Sequence, residues 1–77
     1  YYVYILFCKN NQPYVGCTSN LKDRLKRHNK GYVPATKALL PVKLMTYICF
    51  PSKYLAFNFE KYLKSGSGRA FLNRHFI

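Results

Sequence analysis

Acidic residues are nearly missing from this chain: Asp23 and Glu60 are the only two among 77 residues. Two acids are too few for a two-metal nuclease centre, whose ions need several carboxylates. Cysteine is also sparse. Cys8, Cys17 and Cys49 are an odd number at wide spacing with no Cys-x-x-Cys pair, which argues against a zinc site. They are expected to be free thiols in a reducing, cytoplasmic compartment. Cys8 and Cys49 lie in apolar runs and are expected to pack as small hydrophobes. Long apolar stretches are lacking too. The longest uncharged apolar run, residues 1–8, falls far short of the roughly 20 residues of a bilayer span. No basic, apolar and small-residue segments follow one another as in a secretory leader, although the chain opens on Tyr1 rather than Met. Repeats, linkers, low-complexity tracts, a Gly-x-Ser-x-Gly elbow and a Walker-type Gly-Lys-Ser/Thr run are all missing.

What the chain has is positive charge. Thirteen Lys and Arg against two acids leave a net charge of +11, which must be neutralised when the protein works. Nucleic-acid phosphate is the first candidate and an anionic membrane surface the second; a merely solvated surface is the plain alternative. Hydrophobic residues make up 49% and charged residues 19%, a globular and not a disordered balance. The length suits one domain over residues 1–77. Such a chain buries only about 60% of the surface it exposes when unfolded, so its core is modest.

Residues 1–7, aromatic and β-branched, predict a strand buried on at least one face. Lys9-Asn10-Asn11-Gln12-Pro13 is turn chemistry, and residues 14–18 predict a second strand closing an antiparallel hairpin. Ser19 or Asn20 can cap a helix over 21–30 with Asp23 in its first turn, and Gly31 supplies a stop. Its apolar stripe is thin, only Leu21 and Leu25. Residues 32–41 predict a loop. Residues 42–50 predict a third strand with Leu44, Tyr47 and Ile48 in the core. After Pro51, Ser52 can cap a helix over 53–64 with Leu55, Phe59, Tyr62 and Leu63 inward. Residues 65–68 read as a glycine-rich stop. Residues 69–76 can form a last short helix anchored by Phe71, Leu72 and Phe76. The order β-β-α-β-α-α, starting from a hairpin, implies an α+β fold with a sheet at least partly antiparallel.

Arg24 and His28 lie one turn apart on the first helix. A guanidinium forks onto phosphate and an imidazole titrates near neutrality, so the pair suits phosphoryl chemistry as well as a basic helix face. Glu60, the sole glutamate, can pair with Lys64 at i+4 or hold a hard divalent ion. One carboxylate cannot hold such an ion tightly; the ion keeps waters and leans on substrate phosphate. Tyr4 and Tyr14 suit cross-strand packing or chemistry, and Gly16 lets another group approach the backbone. His75, near the end, reads as a surface residue.

Taken in order, these pieces resemble the GIY-YIG nuclease family in its small single-domain bacterial form, similar to the nuclease end of an excision-repair subunit. Tyr2-Val3-Tyr4 stands in the place of Gly-Ile-Tyr, and Tyr14-Val15-Gly16 in the place of Tyr-Ile-Gly. Thr18-Ser19-Asn20-Leu21, Arg24-Leu25, His28-Asn29-Lys30-Gly31, Thr36-Lys37 and Glu60-Lys61-Tyr62-Leu63-Lys64 continue the likeness over essentially the whole chain. The first motif's glycine is Tyr2 here, and Cys17-Thr18 follow Gly16 where some relatives carry a catalytic lysine. The resemblance implies a small three-stranded antiparallel sheet flanked by helices. It also implies phosphodiester cleavage with one divalent ion, magnesium or manganese.

By that resemblance Glu60 holds the metal, Arg24 clamps phosphate, and Tyr4, Tyr14 and His28 form the hydrogen-bonding and proton-transfer set. Asn73 matches a late asparagine of several members. Lys22, Lys26, Arg27, Lys30 and Lys37 are expected to bind nucleic acid. The expected activity is a DNA endonuclease on single-stranded or branched DNA, in keeping with DNA repair, with no membrane and no small-molecule cofactor. Two other classes compete. A non-catalytic nucleic-acid-binding module predicts salt-sensitive binding without cleavage. An interaction domain for an acidic protein predicts indifference to DNA.

Overall fold

A computed structural model describes residues 1–76. Strands β1 (Tyr2–Phe7) and β2 (Pro13–Thr18) form the hairpin. Helix α1 (Leu21–Asn29), a one-turn helix α2 (Pro34–Lys37), strand β3 (Lys43–Cys49), and helices α3 (Lys53–Leu63) and α4 (Gly66–His75) follow. The sheet has the order β2-β1-β3 and is antiparallel throughout, giving the α+β architecture that the element order implies. Asn11 makes the hairpin turn with φ 60°, the left-handed conformation that Asn tolerates. Asn20, not Ser19, caps α1 by accepting from the Asp23 N–H at 3.1 Å, and Ser52 caps α3 from Leu55 N–H at 3.1 Å.

Strand β1 is the centre of the sheet and is covered on both sides, so Val3, Tyr4, Ile5 and Leu6 are all buried. Alternation sends Val3 and Ile5 to one face, where with Val15 they pack on Ala56, Leu63 and Leu72 of α3 and α4. Tyr4 faces the other way, towards α1 and α2. The fully buried side chains there include two polar ones, His28 and Thr36.

Several sequence expectations are corrected. The segment 32–41 contains α2, which Pro34 starts at the first helical turn. Leu44 and Tyr47 are exposed and Ile48 is half-buried, because β3 is an edge strand and most of the core is taken by the hairpin and α3. Cys49, on the same edge, is exposed rather than packed. On α3, Leu55 and Tyr62 are exposed; the inward stripe is Ala56, Phe59 and Leu63. The glycine-rich 65–68 is not a stop but the cap and first turn of α4, with Ser65 accepting from Gly68 N–H at 3.2 Å. A Cβ on Gly68 would meet the backbone of Tyr62 and Leu63, so this glycine lets α4 close on α3. Among the described residues, no helix is long and apolar enough to cross a membrane.

Candidate active site

Helix α1 has only two leucines, so its half-buried or buried side is completed by polar residues. Leu21, Arg24, Leu25 and His28 follow the i, i+3, i+4, i+7 rhythm of one face. Arg24 is half-buried and His28 has no exposed surface. The same rhythm on α3 runs Ala56, Phe59, Glu60, Leu63, which puts Glu60 at the margin of the core. Its side chain is 14% exposed and forms an ion pair with the open Lys64 at 3.1 Å. The ion pair with Lys64 that the i+4 spacing offers is therefore made.

His28 is the hub. One ring nitrogen, Nε2, lies 2.8 Å from the Tyr4 hydroxyl, and the other, Nδ1, lies 2.7 Å from the Thr36 hydroxyl. A neutral imidazole donates at one nitrogen and accepts at the other, so one hydroxyl gives a proton to the ring and the other receives one. The Tyr4 and Tyr14 rings both meet His28 edge-on, with centroids 5.6 and 5.3 Å away. Burial, helped by the Arg24 charge, holds His28 below the usual histidine range. Burial first, then Tyr14, Glu60 and Cys17, push the Tyr4 phenol up to about 12, while Arg24 pulls against them.

Gly16 pairs across the hairpin with Tyr4, and a Cβ there would collide with the Tyr4 ring and hydroxyl. The group that approaches this glycine is thus Tyr4 itself, whose phenol lies over the outer strand β2. Cys17, next along β2, feels Glu60 and Arg24 as well; its thiol is pushed up chiefly by burial and then by Glu60. The charges of Arg24 on α1 and Glu60 on α3 thus both reach the hairpin. Tyr14 is half-buried and borders a cleft of about 470 Å³ shared with Asn73, Lys64 and Arg69. Asn73 is exposed on α4 and shares this cleft with Tyr14 but not with Tyr4, Arg24, His28 or Glu60.

Lys22, Lys26, Arg27, Lys30 and Lys37 are all exposed. Lys22 and Lys26 leave α1 on the side away from Arg24, whereas Arg27 is its neighbour one turn on. The sequence alone gives no role to Thr36, which fixes the far nitrogen of His28, whereas the i+4 pairing of Lys64 with Glu60 is the one its spacing offers. The pairing of Thr36 with position 28 has no periodic signal, because it crosses from one helix to a separate turn.

The donor set fits a weakly held hard cation. Glu60 is a largely covered carboxylate whose one ion-pair partner among the described residues is the exposed Lys64. No three His, Cys, Asp or Glu side chains cluster among the described residues. An ion held here would have Glu60 as its protein ligand and would need water and phosphate oxygens to complete its shell.

The family model described as "GIY-YIG catalytic domain" matches residues 1–73. The chain is 43% identical over 65 residues to a UPF0213 protein of Bacillus licheniformis, covering 83% of this chain and 67% of that one. It is 44% identical over 64 residues to a UPF0213 protein of Clostridium perfringens, covering 82% and 69%. The solution NMR structure of a UPF0213 protein from Bacillus halodurans superposes with a TM-score of 0.59 at 34% identity, covering 95% of this chain and 81% of that one.

Proposed function

Given that the chain belongs to the GIY-YIG catalytic-domain family, we propose that residues 1–77 act as a metal-dependent endonuclease domain that hydrolyses DNA. One observation carries this reading. His28 of α1 bonds the buried phenol of Tyr4 and meets the Tyr14 ring edge-on, which joins α1 to both strands of the hairpin at one point. The charges of Arg24 and Glu60 both bear on that phenol, which supports assigning them to the same site.

Glu60 is the residue that would hold a single magnesium or manganese ion, with water and phosphate completing its shell. When bound, that ion supplies positive charge for the leaving oxygen. Arg24 neutralises the non-bridging oxygens of the scissile phosphate through a planar pair of N–H donors. Tyr4 and His28 are sealed from solvent, at 1% and 0% exposure, so neither receives a proton from an attacking water directly. Tyr14, half-buried and bordering the cleft, is the group we assign to take it. His28, kept neutral by burial, orients Tyr4 and buttresses the Tyr14 ring. Asn73, Lys64 and Arg69 line the cleft as polar contacts for the strand.

The test is incubation of purified protein with labelled single-stranded, duplex and branched DNA, with manganese, magnesium or chelator. Glu60→Gln and Arg24→Ala are each expected to slow cleavage at least about 10²-fold. Cleavage by Glu60→Gln at the wild-type rate overturns the assignment. Salt-sensitive binding with no cleavage under any metal points instead to a binding module.

A further inference from the structure

Helix α3 carries large aromatic residues that its packing does not use. Its core stripe is Ala56, Phe59 and Leu63, with Glu60 at the margin. Beyond Glu60, continuing around the helix away from the core, come the positions of Lys53, Phe57, Lys61 and Tyr54. Tyr54 is 80% exposed and Phe57 52% exposed. Lys61 Nζ sits 5.9 Å from the Phe57 ring centroid, a cation–π contact on the open surface. Contiguous exposed aromatic surface marks a binding site more often than chance apolar exposure does.

The geometry points to an occupant: an unpaired stretch of DNA, with bases stacked on Phe57 and Tyr54 and phosphates on Lys53 and Lys61. The proposal deepens the nuclease reading, on which it rests for the identity of the strand. Three arguments favour a single strand. The lysines need a polyanion, and the rings need exposed π faces, which single strands offer together. A duplex keeps its base faces inside its own stack and can use only the lysines. A second copy of this chain would set +11 against +11. The patch also begins beside Glu60, so a strand cut there runs straight onto it.

The experiment measures binding of the full-length protein by fluorescence anisotropy in chelator, where no cleavage occurs. The probes are an oligothymidylate of about 12 nucleotides and a blunt duplex of equal length. Tyr54→Ala and Phe57→Ala are each expected to weaken single-strand binding roughly fivefold or more, with duplex binding altered less than about twofold. Phe57→Trp is expected to retain affinity. Both side chains are exposed, and circular dichroism melts confirm that the variants fold. Equal losses on both probes, or no loss on the single strand, overturn the track. So does a double variant that changes only sedimentation mass or binding to phosphatidylserine vesicles. If the wild type never cleaves but binds single strands through these rings, the track stands and the nuclease reading falls. If it cleaves while its binding ignores the rings, only the track falls.

Discussion

Gly16→Ala is the sharpest probe of how the site is built. The added methyl would occupy the space of the Tyr4 ring and hydroxyl. A side-chain tip can usually swing aside at little cost, but this one cannot. Tyr4 is 1% exposed, and its hydroxyl is tied to the fully buried His28 at 2.8 Å. Moving the ring therefore breaks the Tyr4–His28 bond and strands a buried nitrogen. Overpacking of this kind costs about 1–3 kcal/mol, and a buried polar group left unpaired about 1–3 kcal/mol more. In a domain of this size each 1 kcal/mol moves Tm by roughly 4–8 °C, so a fall of at least about 10 °C is expected. The assay is thermal denaturation followed by circular dichroism, in a cycle with Tyr4→Phe. That second change removes one atom the methyl meets and already breaks the same hydrogen bond. The two losses overlap, and the double variant is expected to be more stable than additivity predicts by about 1 kcal/mol or more. A Gly16→Ala protein melting within about 2 °C of wild type, or strict additivity in the cycle, refutes the account.

Three further outcomes follow from the same contacts. Thr36→Val leaves His28 Nδ1 without a partner and is expected to cost about 1–3 kcal/mol, read as a lower urea midpoint that Thr36→Ser largely restores. His28 is held below its unfolded value of about 6.5, so the unfolded chain binds the extra proton and stability is lost as pH falls below that value. Denaturation midpoints measured from pH 7.5 downward should show this loss, and the limb should flatten in His28→Asn. Gly68→Ala drives a methyl into the backbone of Tyr62 and Leu63 and is expected to cost about 1–3 kcal/mol or more. Gly66→Ala, which meets open space, should instead gain about 0.4–1 kcal/mol, and similar melts for the two variants would contradict the described closure of α4 on α3.

Much of the local structure was legible because it rests on short-range chemistry. The hairpin could be read from an aromatic strand, an Asn-rich turn and a second strand, and the caps Asn20 and Ser52 from their side chains. The family motifs and the +11 charge needed no coordinates either. The site residues were legible only as an ordered set. Each alone had an ordinary explanation, and Glu60 does make the ordinary ion pair with Lys64.

What the chain determined by itself is therefore its elements, its charge and its kinship. Tertiary structure decided which side of each element turns inward. With two leucines on α1, burial of His28 depends on Tyr4 and Thr36 waiting for it, and no helical period encodes those partners. Leu44, Tyr47, Leu55 and Tyr62 stay outside although they are apolar enough for a core. The physical reason is that local propensity fixes backbone conformation residue by residue, whereas burial is allotted among distant segments competing for one small interior.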